Sequence, residues 1–275
     1  MYELVDREGM GLLAIVTGGA GGIGVATCRQ LAKAGARVVM TDVNTAQGEV
    51  QVAAMRAEGL LVWYHDLDVG TEESWAALRE WIGSPDGPQG RPAILVNNAG
   101  IDVVKDLMAT SVDDWNRLFQ VNMTGMFIGC KALTEDMHAE AERTGRHASV
   151  INMSSICGLI GVAFQTAYCA TKGAVRLFSK ALALEYAALG RKIRVNSIHP
   201  GTVDTAFAAQ CLRELGEVGF APSPEEARAA IARAHPIGHM ADPDEIADAI
   251  VYLASEASRF MTGSELVPDG GYTAQ

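Results

Sequence analysis

Two residues with complementary acid–base chemistry, Tyr168 and Lys172, stand one helical turn apart in the stretch AYCATKGAV (167–175). Residues i and i+4 lie on the same face of a helix, so the phenol and the ammonium group would be neighbours. A free tyrosine has a pKa of about 10, too high for a base near neutral pH, but a nearby cation in a poorly solvated site favours the phenolate. The spacing indicates either a proton-transfer pair or an ordinary surface pair, and other motifs must decide.

A glycine-rich turn, TGGAGGIG (17–24), follows a short apolar run and begins a helical pattern. Gly18 and Gly22 permit a tight turn, Gly24 permits close packing, and the helix N-terminus offers free N–H groups to a pyrophosphate. Asp42 follows Gly22 by about 20 residues, where a carboxylate accepts hydrogen bonds from ribose hydroxyls and repels a 2′-phosphate. No Arg or Lys stands in the turn or just after Asp42, so the sequence predicts NAD rather than NADP, unless Asp42 is only a solvated acid.

Short β-branched runs alternate with longer stretches of helical periodicity along the chain. Several runs are apolar on both faces, as are the strands of a covered parallel sheet. The predicted strands are residues 12–17, 37–42, 60–66, 93–98, 149–154 and 193–198. The predicted helices are residues 23–35, 46–59, 71–82, 111–137, 174–190 and 242–255. This alternation predicts an α/β fold, a doubly wound parallel sheet of the Rossmann type with about seven strands and helices on both faces.

A single domain over residues 1–275 is the predicted organisation, since no linker rich in Pro, Gly and Ser divides the chain. The segment 202–241 interrupts the alternation with irregular helical sequence after the sixth strand. An insertion beyond the carboxyl end of a strand lies where ligands bind in such folds. We therefore expect residues 202–241 to cover the substrate.

Composition and charge exclude several classes of function. The chain is 49% hydrophobic and 20% charged, which argues against disorder, and its formal charge of −11 disfavours nucleic acid, anionic membranes and acidic carrier proteins. The five cysteines are scattered without a CxxC motif, which predicts free thiols in a reducing compartment, and the histidines are not spaced as metal ligands. With no signal-peptide pattern and no membrane-spanning apolar run, a cytoplasmic location without a metal is predicted.

The order and spacing of further motifs make the sequence resemble the short-chain dehydrogenase/reductases. The motifs are TGGAGGIG (17–24), NNAG (97–100), the Asn of VNMTG (121–125), SS (154–155), YCATK (168–172), HPGTVDT (199–205) and FMTGSELVPDGGY (260–272). They extend over essentially the whole chain, and the joint pattern is specific although each motif alone is not. The resemblance implies an NAD-dependent oxidoreductase that transfers a hydride between the cofactor and a secondary alcohol or ketone.

The same resemblance implies a catalytic tetrad. Tyr168 would be the general acid or base for the substrate oxygen, and Ser155, 13 residues upstream, would hydrogen-bond that oxygen. Lys172 would bind the nicotinamide ribose and lower the pKa of the phenol, while Asn122 would hold a water that links Lys172 to solvent. Taken singly, Ser155 could cap a turn and Asn122 could satisfy backbone groups, but their joint order favours catalysis.

Motif position also assigns the residues that would contact NAD. Asp68 would lie near the adenine amino group, Asn98 near the adenosine ribose, and Val203 and Thr205 near the nicotinamide carboxamide. The predicted cofactor-binding residues are Gly18, Gly21, Gly22, Ile23, Gly24, Asp42, Val43, Asp68, Val69, Asn98, Ala99, Gly100, Tyr168, Lys172, Pro200, Gly201, Val203 and Thr205.

The residues expected around the substrate, 156–164 and 206–212, are mostly apolar. They favour a neutral hydrophobic secondary alcohol or ketone, although they could simply pack the cover against the sheet. The resemblance leaves two alternatives, a 3-oxoacyl carrier-protein or CoA-thioester reductase, which usually uses NADPH, and a non-catalytic nucleotide-binding scaffold. Members of the family commonly form tetramers through the long helices, here 112–138 and 168–189, so we expect a homotetramer.

Overall fold

Seven parallel strands form one sheet in the order β3-β2-β1-β4-β5-β6-β7 in the computed structural model, which describes residues 2–275. The strands are β1 (Leu13–Thr17), β2 (Arg37–Asp42), β3 (Val62–Asp66), β4 (Pro92–Asn97), β5 (Ala148–Met153), β6 (Ile193–Ile198) and β7 (Glu265–Leu266). The six strands predicted from apolar runs are confirmed to within about two residues. The two-residue β7 has no apolar run of its own and exists because it pairs with the end of β6.

Helices cover both faces of this sheet, as the alternation of elements predicted. They are α1 (Gly22–Lys33), α2 (Thr45–Ala57), α3 (Glu72–Gly83), α4 (Val112–Phe119), α5 (Gly125–Thr144), α6 (Thr166–Ala188), α7 (Ala206–Glu217), α8 (Pro224–Ala234) and α9 (Pro243–Ala254). Alternate residues of β1 belong to opposite cores: Ala14 packs in the layer that contains α1 and α9, and Ile15 in the layer that contains α3, α5 and α6. This doubly wound α/β arrangement confirms the predicted fold class.

The sheet reverses its strand order beside β1, which pairs with β2 on one side and β4 on the other. In a doubly wound sheet the crossovers on the two sides of this point lie on opposite faces, so the loops at the strand ends diverge and leave a crevice. The glycine turn after β1, the end of β2 and the loop after β4 all meet at this edge. The crevice is therefore formed by three of the motifs singled out in the sequence.

Helix α6 begins at Thr166, eight residues before the start that apolar periodicity predicted at residue 174 and two before the start at residue 168 that the resemblance implied. Its buried face contains Tyr168, Lys172, Val175 and Ser179, which follow helical spacing but include three polar side chains. An apolar periodicity does not reveal such a face, because polar residues stand at positions where the pattern expects apolar ones. The earlier start places the Tyr–Lys pair within a regular helix.

The predicted helix over residues 111–137 is two helices joined by a single π-helical turn, Gln120–Thr124. A π turn holds one residue more than an α turn, and such turns occur frequently at functional sites. Asn122 is the buried residue of this turn. The irregularity thus falls on the asparagine that the resemblance had assigned to the tetrad.

Candidate active site

The predicted tetrad is assembled from three neighbouring parts of the fold. Tyr168 and Lys172 lie in the first turns of α6. Ser155 follows β5, and Asn122 lies in the π turn between α4 and α5. A Cβ atom built on Gly100 would lie 3.4 Å from Asn122 Oδ1 and 3.6 Å from Lys172 Nζ, so both side chains reach the loop after β4.

The Tyr–Lys pair is held in a buried, fixed arrangement. Lys172 Nζ lies 5.5 Å from the centre of the Tyr168 ring and donates a 2.8 Å hydrogen bond to the backbone oxygen of Met153. Only 8% of Tyr168 and 2% of Lys172 are exposed, which excludes the interpretation as an ordinary surface pair. The cation is oriented by the end of β5 and lies beside the phenol.

The two adjacent serines differ in what their hydroxyl groups do. Ser154 is buried and its Oγ donates a 2.9 Å hydrogen bond to the backbone oxygen of Lys172, so it fastens α6 to β5. Ser155 Oγ accepts a 3.1 Å hydrogen bond from Cys157 N, and its proton remains available for donation. The backbone of Ser155 is fixed by His199 Nδ1, 3.1 Å from its carbonyl oxygen. Ser155 is therefore the serine that can donate to a ligand in the cavity.

Asn122 joins the loop after β4 to helix α6. Its Oδ1 accepts a 2.8 Å hydrogen bond from Ile101 N, and its Nδ2 donates to Ile101 O at 2.9 Å and to Thr171 Oγ1 at 3.1 Å. These bonds use both amide hydrogens and one lone pair of the amide oxygen, so the side chain positions its neighbours. The water that the resemblance assigns to this residue would therefore bind at an oxygen of Asn122.

Burial shifts the pKa values of the Tyr–Lys pair in opposite directions. Burial, together with the negative charge of Asp102, raises the pKa of Tyr168 well above its usual value, while Ser155 acts weakly in the lowering direction. Burial lowers the pKa of Lys172 to about 8. The expected lowering of the phenol pKa is therefore not achieved by the chain alone, because burial disfavours both charged forms and outweighs the neighbouring ammonium group.

The glycine turn has the shape that a dinucleotide requires. Gly18 has a φ of +61°, and a Cβ atom built there would lie 2.8 Å from the backbone of Ala99. A Cβ atom on Gly24 would lie 2.1 Å from Gly18 O, so the turn and the first turn of α1 are in direct contact. No side chain caps α1 at Gly21, and its first N–H groups remain available for a pyrophosphate. The residues present therefore fit a nicotinamide dinucleotide.

Asp42 lies at the end of β2 with its carboxylate beside this turn. Its Oδ2 accepts a 3.1 Å hydrogen bond from Ala20 N, and its Oδ1 accepts a 2.9 Å hydrogen bond from Asn44 N. Each carboxylate oxygen keeps one further lone pair for a ribose hydroxyl. Asp42 therefore contacts the glycine turn and keeps free acceptor positions for a ligand that binds on the turn.

One cavity of about 540 Å³ contains both the nucleotide-binding and the catalytic parts of the site. The predicted cofactor-binding residues that line it are Gly18, Gly21, Gly22, Ile23, Gly24, Asp42, Asn98, Ala99, Gly100, Tyr168, Lys172, Pro200, Gly201, Val203 and Thr205. Val43, Asp68 and Val69 do not line it: Val43 is exposed, Asp68 accepts a hydrogen bond from Gly70 N, and Val69 is buried against Gly125.

Residues from the segment 202–241 form one wall of the cavity. They come from α7, the turn after it and α8, and include Phe207, Leu212, Phe220 and Ile231. The ring of Phe207 lies 6.4 Å from that of Tyr168, measured between centres. The first residues of α7 therefore lie beside Tyr168.

The cavity is also lined by residues to which the sequence had given no role in the site, among them Asp102, Gln165 and Tyr272. Asp102 is 9% exposed, and burial raises the pKa of its carboxyl group. Gln165 precedes α6, and Tyr272 lies in the C-terminal turn with its ring 5.0 Å from that of His235. The sequence signal for Asp102 was a carboxylate two residues after the NNAG motif, where the chain runs past the catalytic residues.

Among residues 2–275, no three His, Cys, Asp or Glu side chains are arranged to hold a metal ion. Within those residues, no helix has both the length and the apolar character that a bilayer crossing needs.

A parallel sheet with a glycine turn at its switch point, joined by one cavity to a buried Tyr–Lys pair, defines a nicotinamide-dependent oxidoreductase. A short-chain dehydrogenase family model, described as enoyl-(acyl carrier protein) reductase, matches residues 18–273. The chain belongs to the short-chain dehydrogenase/reductase family, as the motifs indicated.

Three relatives that match nearly the whole length of this chain are named as dehydrogenases of alcohols or hydroxysteroids. A cyclopentanol dehydrogenase of Comamonas testosteroni is 39% identical over 262 residues, covering 95% of this chain and 97% of the relative. An NADP-dependent (R)-specific alcohol dehydrogenase of Lentilactobacillus kefiri is 37% identical over 265 residues, covering 96% of this chain and 98% of the relative. A 3-alpha-(or 20-beta)-hydroxysteroid dehydrogenase of Mycobacterium bovis is 36% identical over 265 residues, covering 96% and 90%.

Proposed function

We propose that this protein is an NAD-dependent dehydrogenase that interconverts a neutral hydrophobic secondary alcohol and its ketone. The observation that carries the proposal is the single cavity in which Asp42 and the glycine turn lie at one end and Ser155, Tyr168 and Lys172 at the other. This arrangement would hold a cofactor and a small alcohol in contact, which lowers the entropic barrier to hydride transfer.

The chain's own residues orient the alcohol and move its proton. Ser155 donates a hydrogen bond to the substrate oxygen and stabilises charge that develops on it. Tyr168 exchanges the proton of that oxygen, and Lys172 supports the phenolate from beside the ring. A nicotinamide cofactor, when bound, accepts or donates the hydride, and its oxidised ring adds positive charge that favours the phenolate. Asn122 links the loop after β4 to helix α6 and so holds both of them around the Tyr168–Lys172 pair.

The cavity wall supports an uncharged, largely apolar substrate beneath the cover 202–241. Lys172 is the single cation among the lining residues in the part of the chain described, and its ammonium group already donates to Met153 O beside the Tyr168 ring. Arg228, which lies in the cover segment 202–241, forms an ion pair with Asp204 and does not line the cavity. A phosphorylated or CoA-bound substrate would therefore find no counter-ion there.

We expect the purified protein to reduce NAD⁺ when it is given cyclopentanol or cyclohexanol, with a kcat/KM far above that with NADP⁺. Absorbance of the reduced cofactor measures the reaction directly. Replacing Asp42 by Ala removes the ribose contacts and the repulsion of a 2′-phosphate, so the NAD-to-NADP preference should fall on the order of a hundredfold.

Asp66 supplies the matched control for this substitution. It pairs in register with Asp42 on the neighbouring strand β3, but it does not line the cavity. Asp66→Ala should leave the cofactor preference unchanged. An unchanged preference in Asp42→Ala would contradict the proposal that the Asp42 carboxylate selects NAD over NADP.

The alternative of a 3-oxoacyl carrier-protein or CoA-thioester reductase has less support. The family description names an acyl carrier protein, but such carriers are acidic and this chain has a formal charge of −11. The scaffold alternative is disfavoured because Tyr168 and Lys172 are both present and adjacent. Turnover of a carrier-bound 3-oxoacyl thioester in preference to every simple ketone would reverse this ranking.

We also propose a homotetramer assembled through α5 and α6. Leu177 and Leu184 are 69% and 72% exposed and, being two turns apart, lie on one face of α6, and Phe127 of α5 is 48% exposed. Light scattering should give a mass close to four chains. Leu184→Asp should reduce that mass, whereas Leu61→Asp, at an exposed leucine beside the edge strand β3, should not. A monomeric wild-type protein would contradict the proposal.

A cytoplasmic location remains a prediction. The five cysteines are free, as expected of a chain in a reducing compartment. Cell fractionation with an antibody against the chain would check it.

A further inference from the structure

Asp102 and Gln165 form a polar corner in an otherwise apolar part of the cavity. Asp102 lies in the loop after β4, and Gln165 lies just before α6, three residues from Tyr168. The residues that line the cavity around them are mainly Ile156, Val162, Phe207, Ala208, Leu212 and Phe220. A buried carboxylate in such surroundings costs free energy unless it is paired with donors, so its presence requires an explanation.

The donors in the protein leave part of this corner unsatisfied. Asp102 Oδ1 accepts a 2.7 Å hydrogen bond from Val103 N, and Oδ2 accepts hydrogen bonds from Gln165 Nε2 and, at 3.5 Å, from Cys211 Sγ. A carboxylate can accept about four hydrogen bonds, so one position on Oδ1 remains. The amide oxygen of Gln165 has only a 3.9 Å contact with Cys157 Sγ. Asp102 Oδ1 and the amide oxygen of Gln165 are therefore both available to accept a hydrogen bond from a ligand.

The charge of this corner limits what can approach it. Asp102 repels anions, and among the described residues that line the cavity only Lys172 is a cation. A carboxylate or phosphate on the substrate would be placed beside Asp102 without a counter-ion. A hydroxyl group, by contrast, donates a hydrogen bond and remains neutral, which suits both free acceptors.

The corner is close to the reacting centre. The negative charge of Asp102 raises the pKa of Tyr168 and also acts in the raising direction on the pKa of Lys172. Gln165, which hydrogen-bonds Asp102, lies less than one turn of α6 before Tyr168. A small substrate whose reacting oxygen lies at Tyr168 can therefore reach Asp102 with a second group.

We propose that Asp102, oriented by Gln165, binds a second hydroxyl group of the substrate, and that the protein is specific for diols over simple alcohols. This inference rests on the proposed function, because it adds a substrate class to the same site. The diol would place one carbinol at Ser155 and Tyr168 and donate its other hydroxyl hydrogen to the Asp102 carboxylate.

A purely structural role for Asp102 makes a different prediction. The loop after β4 is tied to α7 not only by Asp102 and Cys211 but also by Glu214 Oε2, which accepts a 3.1 Å hydrogen bond from Val104 N. Glu214 does not line the cavity. Weakening this link by Glu214→Gln should change kcat/KM for every substrate by the same factor. Asp102→Asn should do the same if Asp102 serves only to link the loop to α7.

The test compares kcat/KM for cyclohexanol, for the cis and trans isomers of cyclohexane-1,2-, 1,3- and 1,4-diol, and for 4-hydroxycyclohexanecarboxylate. The wild-type protein should prefer at least one diol to cyclohexanol by about tenfold or more, the value of a hydrogen bond to a charged group. It should act least well on the carboxylate. Asp102→Asn should reduce the diol-to-cyclohexanol ratio by about tenfold, mainly through KM, since the contact is made in the ground state as well as in the transition state.

The ratio is measured within each variant, so partial loss of folded protein cancels. Glu214→Gln should keep the wild-type ratio, and Gln165→Leu should reduce it because Asp102 is then no longer oriented. An unchanged ratio in Asp102→Asn, with cyclohexanol still oxidised, overturns the diol assignment and leaves the proposed function standing. Failure of the wild-type protein to oxidise any of these alcohols overturns both.

Discussion

Replacing Tyr168 by Phe should reduce kcat for the oxidation of secondary alcohols by about a thousandfold, the range that general acid–base catalysis supplies. The phenol oxygen is the atom in this cavity that can exchange a proton with the substrate oxygen, while Ser155 can donate to that oxygen. The ring itself would remain, in contact with Phe207 and the apolar wall. We therefore expect the dissociation constant for NAD, measured by fluorescence titration, to change little.

The matched control is Tyr186→Phe on the same helix. Tyr186 is 4% exposed and its hydroxyl forms a hydrogen bond with Thr134 Oγ1, remote from the cavity. Losing that bond should reduce the free energy of unfolding by about 1 kcal/mol and leave kcat unchanged. If Tyr168→Phe retained the activity of Tyr186→Phe, proton transfer would have to be assigned to another group.

Replacing Lys172 by Met should give the second largest loss, roughly a hundredfold in kcat at neutral pH. A unit charge 5.5 Å from the ring centre is worth about 3 kcal/mol at an effective dielectric constant of about 20. Without it the phenolate forms only at higher pH. The acid limb of the pH profile for alcohol oxidation should therefore shift to higher pH, and alkaline buffer should restore part of the activity.

Lys172→Met should not destabilise the folded protein, although it reduces kcat. Burial lowers the pKa of Lys172 from its usual 10.5 to about 8 in the folded chain, so between these values the unfolded chain binds more protons and stability rises with pH. Below pH 8 the folded protein holds a buried charge at full cost. Met removes that cost, and the melting temperature at pH 7 should be no lower than that of the wild type.

Lys180→Met is the control for the charge itself. Lys180 lies on α6 two turns beyond Lys172, but it is 42% exposed and pairs with Glu265. Lys180→Met should leave both kcat and the acid limb of the pH profile unchanged. Equal losses in the two variants would show that the general positive charge of α6 matters and that the contact with Tyr168 does not.

The fold was predictable because its signals are local and repeated. Apolar runs such as 37–42 and 193–198 coincide with strands to the residue, and the glycines after helices, Gly35, Gly59 and Gly190, all have the positive φ expected of helix ends. Strand β7 was not visible as a run, since two residues carry no periodicity. Its place is fixed by pairing with β6, which is a tertiary interaction.

The site was predictable where spacing carries the information and not where packing does. Tyr168 and Lys172 lie four residues apart, and their proximity follows from helix geometry. Asp102 and Gln165 are 63 residues apart, and only the folded chain brings them into contact. The direction of the pKa shift of Tyr168 was likewise hidden, because it depends on the burial of the ring and on Asp102, neither of which the spacing expresses.

The π turn at Gln120–Thr124 has a consequence for how this part of the chain tolerates change. One surplus residue separates the α-helical registers of 112–119 and 125–144, so the two halves present faces that a continuous helix would not align. Deleting a residue here would yield a more regular helix and would withdraw Asn122 from Ile101 and Thr171. A regular helix and the contacts of Asn122 are thus mutually exclusive at this point, so the number of residues in the turn matters more than its helical propensity.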